Sequence, residues 1–203
     1  MDLITIFLSI LLFLTIVLSV LGIWWICQLL LPLLHGGGPY VPTRDEDVET
    51  MLRLARLVPT DRVADLGSGD GRIVIAAAKA GVADALGIEI NGALVKTSRV
   101  SANLFRLTNA HFLAQSFWTT DVSDRTVLFL YQVPHAMKRL ESKLLTELPP
   151  GARVVSNDFR FVDWKPTEEH GRIRVYINRP DFTHAHARLE TEQDTCEHLC
   201  KHD

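Results

Sequence analysis

Three glycines alternate in the stretch Val63-Ala-Asp-Leu-Gly-Ser-Gly-Asp-Gly-Arg-Ile73, at Gly67, Gly69 and Gly71. An apolar run precedes them, and a segment rich in Ile, Val and Ala follows. Glycines at the junction of a strand and a helix let the backbone take positive φ and approach a ligand closely. The helix start adds N–H groups that have no partner within the helix. Eighteen residues beyond Gly71, at the end of the next apolar run, stands Glu89. A carboxylate there can accept hydrogen bonds from both hydroxyls of a ribose. Gly67 to Gly71 could be no more than a tight turn, but its coincidence with Glu89 favours a nucleoside site at the strand ends. Dinucleotide sites use G-x-G-x-x-G to seat a pyrophosphate on the helix. Here the spacing is G-x-G-x-G, with Asp65 before it and Ser68 and Asp70 within it. Two carboxylates would repel a pyrophosphate and attract an ammonium group. S-Adenosylmethionine, with a sulfonium, an α-amine, a ribose and no phosphate, meets those requirements.

The elements that must position these residues alternate. Val48, Met51, Leu52 and Ala55 recur at helical spacing and predict a helix over 45–57. A strand over 62–66 leads into the glycine turn, and Arg72 to Ala80 continues as a helix. A second strand covers 85–90, and Asn91 can cap the helix that runs to about Leu107. Strands over 110–114, 126–131 and 152–156 follow, with a helix over 135–147 before the last. The expected fold is α/β: a Rossmann-like, doubly wound and mostly parallel sheet with helices on both faces. After Asn157, Ile173, Val175 and Ile177 alternate with Arg172, Arg174 and Tyr176, predicting a half-exposed strand. Arg179-Pro-Asp181 reads as a turn into 182–189, which gives an antiparallel hairpin at the C-terminal edge.

Composition divides the chain. Of its 203 residues 47% are hydrophobic and 22% charged, with formal net charge -3, yet Leu3 to Thr43 contains no Asp, Glu, Lys or Arg. As a helix, Leu3 to Leu31 would reach roughly 44 Å, enough to cross a ~30 Å hydrocarbon core. No basic leader and no Ala-x-Ala site precedes the soluble part, so a retained transmembrane anchor over 1–34 is expected rather than a cleaved signal. Trp24 and Trp25 suit the interface, and Pro32 opposes further helix. A linker and pre-domain segment over 35–44, a domain over 45–189 and a polar tail over 190–203 complete the expected organisation. Nine linker residues span at most about 30 Å, which keeps the domain at a bilayer surface. The Lys/Arg bias favours the cytoplasmic side. Disorder, collagen and a disulfide scaffold are excluded by composition. Mild acidity argues against nucleic acid as a partner. Cys196, His198, Cys200 and His202 do not match a usual zinc spacing, and no metal site is assigned.

Asp65-Leu-Gly-Ser-Gly-Asp-Gly71 resembles motif I of the class I S-adenosylmethionine-dependent methyltransferases. More narrowly, the chain is similar to the small membrane-anchored protein-lysine methyltransferases and their bacterial relatives. The features that carry the likeness are the hydrophobic leader, Pro39-Tyr-Val-Pro-Thr43, the glycine turn, Gly87-Ile-Glu-Ile-Asn91, Phe117-Trp118 and Glu147-Leu-Pro-Pro-Gly-Ala-Arg-Val-Val-Ser156. Mitochondrial members of that family modify lysines of the ATP synthase c subunit and the adenine nucleotide translocase. The resemblance implies that Asp65, Gly67, Ser68, Gly69, Asp70 and Gly71 line the methionine end of the cofactor. It implies that Glu89 binds the ribose, that Ser116 and Phe117 face the adenine, and that Tyr40 folds over the whole. Ser116 stands where the family commonly has an acid. A membrane-associated protein is the implied acceptor.

Methyl transfer from a sulfonium is an in-line displacement, so the enzyme positions the nucleophile and excludes water. A lysine nucleophile must lose a proton, its solution pKa being about 10.4. Tyr131, Gln132 and His135 follow the fourth strand; Asn157 and Asp158 follow the fifth. Tyr131 and Asp158 are the candidates for orienting the amine. Tyr131 could instead be a buried aromatic closing the sheet, Asp158 a turn residue and His135 a solvated helix start. Trp164 and Lys165 could border a cleft or cover the core. A lipid or small-molecule acceptor, an NAD-dependent oxidoreductase and a non-catalytic tethered module are the competing readings. The glycine spacing opposes the oxidoreductase.

Overall fold

The computed structural model describes residues 3–34 and 40–179. The chain falls into two compact units, divided between Tyr40 and Val41. The first contains α1, Leu3–Leu34. Its stretch Leu3–Ile26 has a mean hydropathy of 2.9 and no buried side chain, so it is long and apolar enough to cross a membrane. Ser9 Oγ donates to Thr5 O at 2.8 Å, and Thr15 Oγ1 to Leu12 O at 2.8 Å. These hydroxyls satisfy themselves on their own helix, as an apolar surrounding demands. The helix runs through Pro32 and ends two residues later, not before it. A proline removes one donor without ending a helix already formed on its N-terminal side.

The second unit is built on one seven-stranded sheet. Its elements are α2 (Asp45–Ala55), β1 (Arg62–Leu66), α3 (Arg72–Lys79), β2 (Asp84–Glu89), α4 (Gly92–Leu104), β3 (Ala110–Ala114), β4 (Val127–Leu130), α5 (Pro134–Glu147), β5 (Arg153–Asn157), β6 (Glu168–His170) and β7 (Ile173–Ile177). The strand order is β3-β2-β1-β4-β5-β7-β6. All neighbours are parallel through β5; β7 is antiparallel to both β5 and β6. The order reverses between β1 and β4, where such sheets open a crevice at the carboxyl ends of their strands. Two apolar clusters sandwich the sheet. Met51, Val63, Val74, Phe112 and Phe129 lie in one, and Leu66, Leu128, Leu140, Leu144 and Trp164 in the other.

The expected α/β fold is therefore present, with shifts of a few residues at element ends. α2 stops at Ala55 because Arg56 turns left-handed, with φ of 51°. Asn91 does cap α4, accepting from Ala93 N at 3.0 Å. The end of the sheet departs from expectation. β7 is buried on both faces: Arg174 is 9% exposed and Tyr176 is fully buried. Its hairpin partner is β6, which precedes it across Gly171; the segment 182–189 lies outside the described residues. The alternation in the sequence marks a strand correctly. It misjudges the outer face, because Tyr176 packs against Phe161 and Trp164 at centroid distances of 4.8 and 5.4 Å. Trp164 thus covers core.

Candidate functional site

Register brings the chemistry to one edge of the sheet. Leu66 pairs with Ile88 and with Leu130, and Glu89 with Ala114. The segments that leave β1, β2, β3 and β4 consequently start side by side. Gly67 N and Ser68 N both donate to Ile88 O, at 2.8 and 3.0 Å, and Gly71 N donates to Ser68 O at 2.8 Å. The three glycines have φ of 83°, 54° and 79°. A Cβ on Gly71 would lie 2.6 Å from Phe112 Cε1 and 2.8 Å from Ser98. One on Gly67 would meet Gln132 Nε2 at 2.6 Å. That amide donates to Leu66 O at 2.7 Å and holds the turn from the β4 side. Gln132 is thus a positioning residue, a role its place after a strand could not reveal.

Charge at this edge is unbalanced. Asp65 is 3% exposed. Among the described residues its carboxyl has no hydrogen-bond partner. Burial, with the charges of Glu89 and Asp70 added, pushes its pKa from 3.8 up to about 8. Glu89, also buried, accepts from Gly69 N at 2.9 Å and Asn91 N at 2.8 Å. Each of its oxygens keeps a further lone pair. Asp70 is held differently: Arg72 grips both its oxygens, with contacts of 2.7 to 3.2 Å, and also donates to Thr43 O at 2.6 Å. The glycine turn is thereby tied to the segment before α2, and Asp65, unlike Asp70, has no basic residue beside it among the described residues. At this edge the Ser68 hydroxyl and both side-chain atoms of the wholly buried Asn157 are buried without a hydrogen-bond partner; elsewhere among the described residues so are Trp118 Nε1, Arg172 Nε, Arg174 Nε and Asn178 Oδ1. Buried polar groups rarely stay unpaired, so Ser68 and Asn157 at the strand ends leave room for a ligand or water to satisfy them.

The remaining candidates lie around this edge. Gln115 N donates to Glu89 O at 3.0 Å, which sets Ser116 and Phe117 close in the chain to the end of β2. The Ser116 hydroxyl accepts from Trp118 N at 3.3 Å. Phe117 is buried in the core and packs on Trp118 at 4.7 Å. Tyr131 is half-buried, its ring stacked on Phe159 at 6.3 Å. Asp158 takes φ of 74°, donates its N–H to Arg172 O at 2.9 Å and has its carboxylate 3.8 Å from Arg172. Arg172 and Arg44 converge on Asp47, at 2.8 and 2.9 Å, and hold its carboxyl below its ordinary pKa. Two residues that pattern could not find support the region: Asp47, and the buried Glu141 of α5, which accepts from the N–H groups of Val162, Asp163 and Trp164. His135 is solvent-exposed at the start of α5. Tyr40 is 43% exposed and belongs to the first unit. The Cys/His tail lies outside the described residues.

A doubly wound sheet with this order, a G-x-G-x-G turn, an unpaired buried acid and the buried Glu89 at the end of the next strand are those of an S-adenosylmethionine-dependent methyltransferase. Residues 65–168 match the family model of the ANTKMT methyltransferase domain, and the chain belongs to that family. It is 39% identical over 132 residues to a protein-lysine N-methyltransferase of Saccharolobus islandicus, covering 64% of this chain and 82% of that protein. It is 41% identical over 136 residues to the lysine N-methyltransferase of the ATP synthase c subunit from Xenopus laevis, covering 66% and 58%. The chain spans little more than half the length of its animal relatives. Among solved structures it resembles an RNA methyltransferase from Salinibacter ruber in complex with S-adenosyl-L-homocysteine. There the TM-score is 0.67 at 36% identity, over 69% of this chain and 95% of that one. S-Adenosylmethionine is the methyl donor.

Proposed function

We propose that the protein methylates a lysine side chain of a membrane-associated protein while held on the bilayer by α1, with the second unit on the cytoplasmic side. The observation that carries the donor site is Asp65, an acid buried without a counter-charge where an ammonium group can supply one. The lysine acceptor is supported by the activities for which the archaeal and animal relatives are named. The apolar, charge-free α1 supports the membrane location, and the Lys/Arg bias beyond it supports the orientation.

Asp65 holds the α-amine of the donor, and Gly67, Ser68, Gly69 and Gly71 shape the turn that borders it. Asp70 keeps the turn in place through Arg72. The free lone pairs of Glu89 receive the ribose hydroxyls, and Ser116 and Phe117 border the adenine. S-Adenosylmethionine, when bound, supplies a methyl group on a sulfonium. The Tyr131 hydroxyl orients the incoming lysine nitrogen, which must arrive neutral. Asp158, already next to Arg172, is the second candidate to receive its proton.

The experiment is to incubate membranes from a deletion strain with purified full-length protein and methyl-labelled S-adenosylmethionine, then separate protein, lipid and RNA. Label in protein, recovered as methyl-lysine and reduced at least tenfold by Tyr131→Phe, is expected. Label confined to lipid refutes the acceptor. Label in RNA would instead support the activity for which the Salinibacter relative is named, although a net charge of -3 offers a phosphate backbone little attraction.

A further inference from the structure

The strongest surface feature outside the site lies on α4 and the segment that follows it. From Ile90 to Thr120 the chain contains no Asp or Glu, but it carries Lys96, Arg99, Arg106 and His111. Lys96, Val100 and Leu104 succeed one another every four residues, so they form one row on the helix. Val100 is 59% exposed, Leu104 77% and the adjoining Phe105 55%. Lys79, from α3, places its Nζ 3.3 Å from the centre of the Phe105 ring and brings a fourth long cation to the group. The neighbouring β3 is the edge strand of the sheet, and Leu113 on it is 39% exposed. Protruding apolar side chains with cations beside them, in a protein of net negative charge, are a local exception that core packing does not explain; among the described residues Asp84 of β2 brings an acid to the group, 3.7 Å from His111.

We propose that this face docks on an anionic lipid surface. Charge complementarity selects the occupant. Lys79, Lys96 and Arg106 match phospholipid headgroups, with Arg99, which donates to Phe112 O at 2.6 Å, adding its charge from beside β3, while Val100, Leu104 and Phe105 reach the depth of the acyl boundary. A second copy packed two-fold on the same face would set these cations against each other. An RNA would satisfy the cations but leave Leu104 and Val100 against phosphate. Such docking rests on the proposed membrane location and deepens it: the catalytic unit gains its own contact with the bilayer, independent of α1 and of the identity of the acceptor. A unit docked in this way would meet the membrane through a defined face. Each basic residue beside an anionic surface strengthens binding by about fivefold.

The test uses the full chain with Cys27, Cys196 and Cys200 replaced by Ser and an environment-sensitive fluorophore on Leu104→Cys. It is reconstituted with vesicles of phosphatidylcholine alone, or with phosphatidylglycerol added. Flotation with neutral vesicles reads the anchor; the fluorophore reads this face. A blue shift with quenching by a lipid-borne quencher is expected only in anionic vesicles. It should be abolished by high salt and by combined Lys79→Glu, Lys96→Glu and Arg106→Glu changes that leave cofactor binding intact. A fluorophore on Val162→Cys, 55% exposed in the native chain, should not respond. An unchanged Leu104→Cys spectrum overturns the proposal. So does an equal shift in neutral vesicles, a shift that depends on protein concentration, or one produced by RNA in place of lipid.

Discussion

Replacing Asp65 by Asn should make the empty protein more stable and abolish its function. In the folded chain the carboxyl titrates at about 8; unfolded, it returns to about 3.8. The folded state therefore binds the proton more tightly, so the contribution of Asp65 to stability is most favourable below pH 4 and is lost as pH rises towards 8. Each pH unit in that window costs about 1.4 kcal/mol, so at pH 7 the buried acid costs the fold about 4 kcal/mol. Asn has nearly the shape of the protonated acid and does not titrate. The advantage of Asp65→Asn should thus be near zero at pH 4, grow through pH 7 and level off above pH 8. At about 2–4 °C per kcal/mol for a domain of this size, the melting temperature should rise by roughly 10 °C at pH 7. Thermal unfolding of both full-length proteins without cofactor, followed by circular dichroism from pH 4 to 9, measures this directly. S-Adenosylmethionine should then raise the melting point of the wild type and leave the variant unmoved. A variant less stable than wild type at pH 7, or a difference independent of pH, would refute the reading of Asp65 as an acid held for a cation.

Other substitutions test the supports. Gly71→Ala puts a Cβ 2.6 Å from Phe112 at a φ of 79°, and should lower stability by about 1–3 kcal/mol in urea unfolding, with weaker cofactor binding. Glu89→Ala strips Gly69 N and Asn91 N of their acceptor, so affinity for S-adenosylmethionine measured by calorimetry should drop at least tenfold. Glu141→Ala leaves three N–H groups of the 162–164 segment unpaired in the interior. It should destabilise the fold by about 3 kcal/mol in the same urea titration, and little change would contradict its role as the pin of that segment.

Local chemistry makes much of this protein legible in its sequence. The glycine turn, the buried strands, the Asn91 cap and Glu89 each follow from a rule acting within a few residues. What sequence conceals depends on contacts between distant segments. Asp65 and Asp70 look equivalent beside the turn, yet Arg72 neutralises one and, among the described residues, nothing neutralises the other. Gln132 and Asn157 are ordinary residues after strands until the register sets them at the same edge. The alternation of β7 promises a wet face, and a cluster formed by Phe161 and Trp164 removes it. Glu141 sits in an amphipathic helix where an acid reads as solvated, and its three backbone partners come from 21 to 23 residues away.

The central claim is that a buried acid, kept neutral in the empty site, is ionised by the arrival of a cationic methyl donor. Titrating S-adenosylmethionine into the full chain at pH 7, in buffers of differing ionisation heat, counts the protons exchanged on binding. A pKa of about 8 means about 0.9 of a proton is held beforehand, so release of nearly one proton per ligand is predicted, and none from Asp65→Asn. Binding whose heat is the same in every buffer, or no binding at all, would contradict the account.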